Sequence, residues 1–268
     1  MKIDYVPLLA IQRELQSMPR NMERFQKYLQ TIGTRNGDGT LALPSLIAAN
    51  PMGKDHVTAH LDALLSLNVD TIGAEAASEA AIELAEEPGD FKMAVVLADD
   101  LMGGWTNRYA IEYSLRFPDI SANTVPRTLP KWLKDFWLTA LVWTSDAPTP
   151  QAVRKAVKST IFRIVYIRRH GYARTLQEMM TQEGWVMVHA GCQGPVLEDE
   201  DIEYTRQVLK PFLASTDKRT NIECLFGYDP GKTLGFSPQG LSPWAGLALA
   251  LYDGKQHLAN DISAKSAV

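Results

Sequence analysis

Apolar residues recur three and four apart through nearly every segment of the chain, and that spacing admits little besides α-helix. Residues 55–67 carry Val57, Leu61, Leu64 and Leu65 on one side. Residues 71–87 form an alanine-rich stretch that Pro88-Gly89 stops. A longer helix starts at Thr149-Pro150 and runs to about Arg169. It turns Val153, Val157, Ile161 and Ile164 inward, and Gly171 ends it. Arg168, Arg169 and His170 sit in or beside its last turn, where positive charge suits the helix dipole. The run Glu198-Asp199-Glu200-Asp201 suits a helix start for the converse reason. Shorter helices are expected over 8–16, 22–31, 107–116, 175–188 and 244–251, with Gly184 interrupting its own.

Two apolar runs could be strand or helix. In 91–102, Phe91, Ala94, Val95, Ala98, Leu101 and Met102 keep helical spacing, Asp90 can cap the start and Gly103-Gly104 the end. In 131–144, Trp132, Leu133, Phe136, Trp137, Ala140 and Leu141 form a helical stripe entered through Pro130. Both are read as helices. The expected fold is therefore mainly α, an irregular multi-helix bundle with little or no sheet. One domain spans 1–259 and can divide into two packed halves joined near 118–130. Residues 227–243 form a Gly- and Pro-rich loop, and 260–268 a flexible tail.

Charge and cysteine content remove whole classes. The net charge of −4 lacks the basic excess by which nucleic-acid binders neutralise phosphates. Two cysteines cannot build a disulfide framework and suit a reducing compartment. The apolar runs fall short of the ~20 residues of a spanning helix, and the N-terminus lacks a signal core. A soluble, cytoplasmic protein with no membrane and no nucleic-acid partner is expected.

The first chemical signal is His56-Val-Thr-Ala-His60. Imidazoles four apart on a helix share a side and can reach one metal ion. Both border the buried stripe. Val57 follows His56 where a zinc peptidase would carry its glutamate, so that mechanism is excluded. The second signal is Asp99-Asp100, followed by Gly103-Gly104, Trp105, Asn107 and Arg108. On a helix ending at 102 the carboxylates oppose the dipole and need a cation. Asp99 borders the apolar stripe. An aromatic face, an amide and a guanidinium within a few residues suit recognition of a small polar ligand.

Weaker signals remain. His189 and Cys192 share a glycine-flanked loop and could supply a nucleophile or further ligands. Gly227 to Thr233 is one residue short of a phosphate loop, and Pro238 stands where its helix should run. Arg154, Lys155, Lys158 and Arg169 face one way on the long helix, and Glu75, Glu79 and Glu83 line another. These stripes are solvated, paired with each other, or a partner surface.

The expected function is a small-molecule enzyme, a metal-dependent hydrolase. His56, His60 and His189 would hold a divalent Zn, Fe or Mn ion. Asp99 would be a ligand or general base. Trp105, Asn107 and Arg108 would bind the substrate, with Arg108 also in the catalytic set. The alternatives are a helical protein-interaction module, or a haem or other cofactor binder ligated by His170 or His189. A homo-oligomer is compatible with any of them.

Overall fold

The computed structural model describes residues 1–33, 41–101, 107–118, 137–227, 234 and 240–266. The fold is mainly α: 62% helical, with a parallel sheet of three strands taking 9%. The chain divides into two compact units, one of residues 1–107 and 120–161, the other of 108–119 and 162–268.

The first unit is built on the sheet. Its strands are β1 (Lys2–Tyr5), β2 (Asp90–Ala98) and β3 (Trp137–Trp143), in the order β1-β2-β3. Lys2 pairs with Asp90 and Tyr5 with Met93 on one side of β2. Lys92 to Ala98 pair with Trp137 to Trp143 on the other. Helices α1 (Leu9–Ser17), α2 (Met22–Ile32), α3 (Asp55–Ser66) and α4 (Val69–Glu83) surround it, with a short 3-10 helix at Pro44–Ala48. Leu8, Leu15, Tyr28, Leu46 and Ala49 pack on Ala94 and Val96 of β2 and Trp137 of β3. Met93, Val95 and Leu97 alternate to the opposite face and are fully buried too.

This sheet corrects two expectations. Residues 91–98 are strand, not the first part of a helix over 91–102. Residues 137–143 are strand, not the second part of one over 131–144. A strand covered on both faces is apolar at consecutive positions, so its spacing includes the helical one by default. The β-branched pair Val95-Val96 was the contrary signal. Residues 102 and 131–136 of those spans, and residues 119–130 of the linker expected at 118–130, lie outside the described residues.

β1 stops at Tyr5, and among the described residues no strand pairs with β2 beyond Met93 on that side. Gln12 of α1 takes the vacant place at Leu97. Its Nε2 donates to the Leu97 carbonyl at 2.7 Å, and its Oε1 accepts from the Leu97 amide at 3.1 Å. A side-chain amide here does the work of a strand neighbour, two residues before Asp99. Asp70 accepts from the Tyr5 hydroxyl at 2.9 Å and from the amides of Leu8 and Leu9, closing the start of α1.

The second unit is helical. It holds α5 (Arg108–Arg116), residues 162–170 of α6 (Pro150–His170), α7 (Leu176–His189), α8 (Asp199–Leu209), α9 (Lys218–Phe226) and α10 (Ala245–Ser266). α9 has no counterpart among the expected helices, and α10 runs past the expected end at 251. Gly184 does not interrupt α7, which runs through it. A Cβ on Gly184 would fall inside contact distance of the Ala250 carbonyl, and one on Gly254 would lie 2.7 Å from the Gly184 carbonyl. The two glycines let the backbones of α7 and α10 touch, which offsets their entropic cost. Thr175 and Glu178 form a capping box at the start of α7.

Candidate active site

Parallel strands place their C-terminal ends on one edge of a sheet, and ligands of open α/β sheets bind beyond that edge. Here β2 delivers Asp99-Asp100 to the edge and β3 delivers Thr144-Ser145 beside them. The loop after the 3-10 helix adds Asn50, and the first turn of α3 adds His56.

These residues converge on one carboxylate. Asp99 is 3% exposed. Its Oδ1 accepts from His56 Nε2 at 2.8 Å, Thr144 Oγ1 at 3.1 Å and the Leu101 amide at 3.2 Å. Its Oδ2 accepts from Asn50 Nδ2 at 2.8 Å. Burial pushes the Asp99 carboxyl up. The hydrogen bonds from His56, Asn50, Thr144 and Leu101 outweigh it and hold the group below its ordinary value. Asp99 is therefore an anion and can only accept, which puts the proton of a neutral His56 ring on Nε2 and leaves Nδ1 as its lone-pair nitrogen. Among the described residues nothing else hydrogen-bonds that ring, which is 23% exposed.

Asp100 lies beside this pair. It accepts from Thr144 Oγ1 at 3.0 Å, and from the amide and hydroxyl of Ser145 at 3.0 and 2.6 Å. Thr144 has one hydroxyl proton and stands within reach of both carboxylates, while its oxygen accepts the Asp100 amide at 3.1 Å. The two carboxylates are thus bridged through a single side chain.

His60, one turn along α3, is half-buried. Burial lowers its pKa, and the His56 ring lowers it further against the opposing pull of Asp146 and Asp100. Its ring is neutral at neutral pH and close enough to feel all three groups. Among the described residues, no group of three histidine, cysteine or acidic side chains is placed to hold one metal ion.

Other residues singled out in the sequence lie elsewhere. Asp99 and Asp100 follow a strand, so the dipole penalty expected of a helix end does not arise. Arg108 belongs to the second unit. Its Nε donates to Glu112 at 2.9 Å, and its guanidinium lies 5.2 Å from the centroid of the Trp244 ring. Asn107 precedes α5, and Trp105 lies outside the described residues. His189 is also in the second unit, donating from Nδ1 to the Trp185 carbonyl at 2.8 Å and stacked on the Trp185 ring at 3.9 Å. Cys192 and Cys224 are buried and unbridged. The charged stripes meet each other: Glu79 pairs with Arg154, and with Lys158 at 2.8 Å. Asn50 and Thr144 went unnoticed in the sequence, where a lone amide and a lone hydroxyl carry no signal.

No protein-family model matches the chain, and comparisons with curated proteins and with solved structures found no match. No helix among the described residues is long and apolar enough to cross a membrane.

Proposed function

We propose that the C-terminal edge of the sheet is the working site of a hydrolase acting on a small polar molecule, with His56 as its general base. The observation that carries this reading is the bond from His56 to a buried Asp99 that also accepts from Asn50, Thr144 and Leu101. A carboxylate behind an imidazole fixes the tautomer and ring orientation and stabilises the imidazolium that forms when the ring takes a proton. The proton comes from a water or hydroxyl held at Nδ1. Asp99 meets the ring through Oδ1, and its part in this reading is to position His56 and stabilise its charged form. The unbridged cysteines support a reducing, cytoplasmic setting.

A metal-assisted version uses the same nitrogen. Metal-bound histidines commonly give their other N–H to a carboxylate, as His56 does to Asp99. His60, neutral and nearby, would be the second ligand for a zinc, iron or manganese ion.

The test is turnover of p-nitrophenyl acetate and p-nitrophenyl phosphate by the full chain, with and without EDTA. His56→Ala and Asp99→Asn should each lower kcat by about 10²–10⁴, the range of general acid–base catalysis. Loss on EDTA, with metal found by elemental analysis, selects the metal-assisted version. No turnover above buffer, or full turnover in His56→Ala, rejects the reading.

A further inference from the structure

We infer that Arg24 is a positioning residue of this site, acting through the loop that carries Asn50 and leads to His56. The inference rests on the His56–Asp99 pair being the working site. Arg24 lies on α2 and is 5% exposed. Among the described residues it has no carboxylate partner, and its Nε is buried without an acceptor. Burial lowers its pKa, and Arg20 adds to the effect. A buried cation lacking a counter-charge is costly, and an apolar side chain of like size would pack there more cheaply. Its hydrogen bonds show what the charge does instead.

One nitrogen, Nη1, reaches Gln16 Oε1 at 2.7 Å, the Gly53 carbonyl at 3.3 Å and the Pro51 carbonyl at 3.4 Å. Gln16 in turn donates from Nε2 to the Asn50 carbonyl at 2.8 Å. The Arg24–Gln16 pair thus holds three carbonyls of the four-residue stretch Asn50 to Gly53. The side chain of Asn50 works the other way. Its Oδ1 accepts from the Met52 amide at 2.9 Å, and its Nδ2 donates to Asp99. Three residues past Gly53 comes His56. A Cβ on Gly53 would lie 2.7 Å from Val57 Cγ2, so the loop meets α3 without slack. Arg24 touches neither Asp99 nor His56. It sets the backbone from which two of the described Asp99 partners, Asn50 and His56, project.

The test is the proton signal of His56 Nε2–H, read by NMR on ¹⁵N-labelled full-length protein at neutral pH and low temperature. A bond to a buried carboxylate moves this proton downfield and slows its exchange. His56→Ala assigns it. Arg24→Met, shown folded by circular dichroism, is expected to lose the signal, with Arg24→Lys intermediate. Arg13→Ala serves as control, because it removes an exposed ion pair from α1 to Asp62 of α3 without touching the loop. It should keep the signal. If Arg24→Met does not fold, Gln16→Leu removes the Asn50 tether and Arg24's side-chain acceptor, and is expected to lose the signal as well. An unchanged signal in folded Arg24→Met, or in Gln16→Leu, overturns the role of Arg24 while leaving the pair intact. A wild-type spectrum without the signal counts against the His56–Asp99 bond itself, and so against both.

Discussion

Thr144 is the residue whose loss should be felt most widely at the sheet edge. Its hydroxyl stands between two carboxylates and accepts a backbone amide, so Thr144→Val replaces three polar contacts with a methyl of the same shape. A buried polar group left without its partner costs ~1–3 kcal/mol. Urea unfolding of Thr144→Val should show a loss of that order, and a loss below ~0.5 kcal/mol would mean water replaces the hydroxyl freely. At this scale the site was half legible. His56 and Asp99 each stood out in the sequence, and the expected site set both around one metal ion without the direct bond between them. Spacing of four joined His56 to His60, and nearness along the chain joined Asp99 to Arg108. The contact that the fold makes, His56 to Asp99, spans 43 residues and depends on Asp99 ending a strand. Reading 91–102 as a helix hides that strand, and with it the direct form of the contact.

Elements were legible where one face is solvated. α2, α3, α6 and α7 fall within a residue or two of their expected bounds, because an amphipathic stripe has a period that can be counted. β2 is buried on both faces and has no such stripe. β1 is four residues long, too short for any periodicity to register. Two substitutions test what holds these elements. Gln12→Leu would leave the amide and carbonyl of Leu97 without partners in a buried strand. The expected cost is ~1–3 kcal/mol for each group, read as a lowered urea midpoint. Exchange should rise at the Leu97 amide itself, and a protected Leu97 amide in the variant would show that Gln12 is not its partner. Gly184→Ala places a methyl against the Ala250 carbonyl and must push α7 from α10. Overpacking of this kind costs typically ~1–3 kcal/mol, and thermal unfolding should fall accordingly. A helix-propensity argument alone predicts the opposite sign, since alanine favours helix over glycine by ~1 kcal/mol. The measured direction decides between them.

Each unit of the molecule is organised around a buried acid, and the two acids are satisfied differently. Asp99 in the first unit is held mainly by neutral donors. Glu183 in the second is fully buried between two guanidinium groups: Arg163, at 2.7 and 2.9 Å, and Arg116. Arg116 also binds Glu112 at 2.7 Å, and Glu112 binds Arg108. Burial alone would push the Glu183 carboxyl up. The charges of Arg163 and Arg116 outweigh it and bring the group down to about 2. Its ordinary value is 4.5, so the folded state binds this proton less tightly than the unfolded chain does. Stability from Glu183 is then fully present above about pH 4.5 and drains away as pH falls through about 2. Glu183→Gln removes the charge and leaves Arg163 and Arg116 facing an amide. Breaking one side of a buried ion network costs ~3–5 kcal/mol, so the variant should be markedly less stable at pH 7. It should also lose less on acidification from pH 5 to pH 2, because the titrating group is gone. Urea unfolding at both pH values, followed by hydrogen exchange across α7, measures the two effects separately. Equal acid sensitivity in the variant and the wild type would place the acid-labile interaction elsewhere than at Glu183.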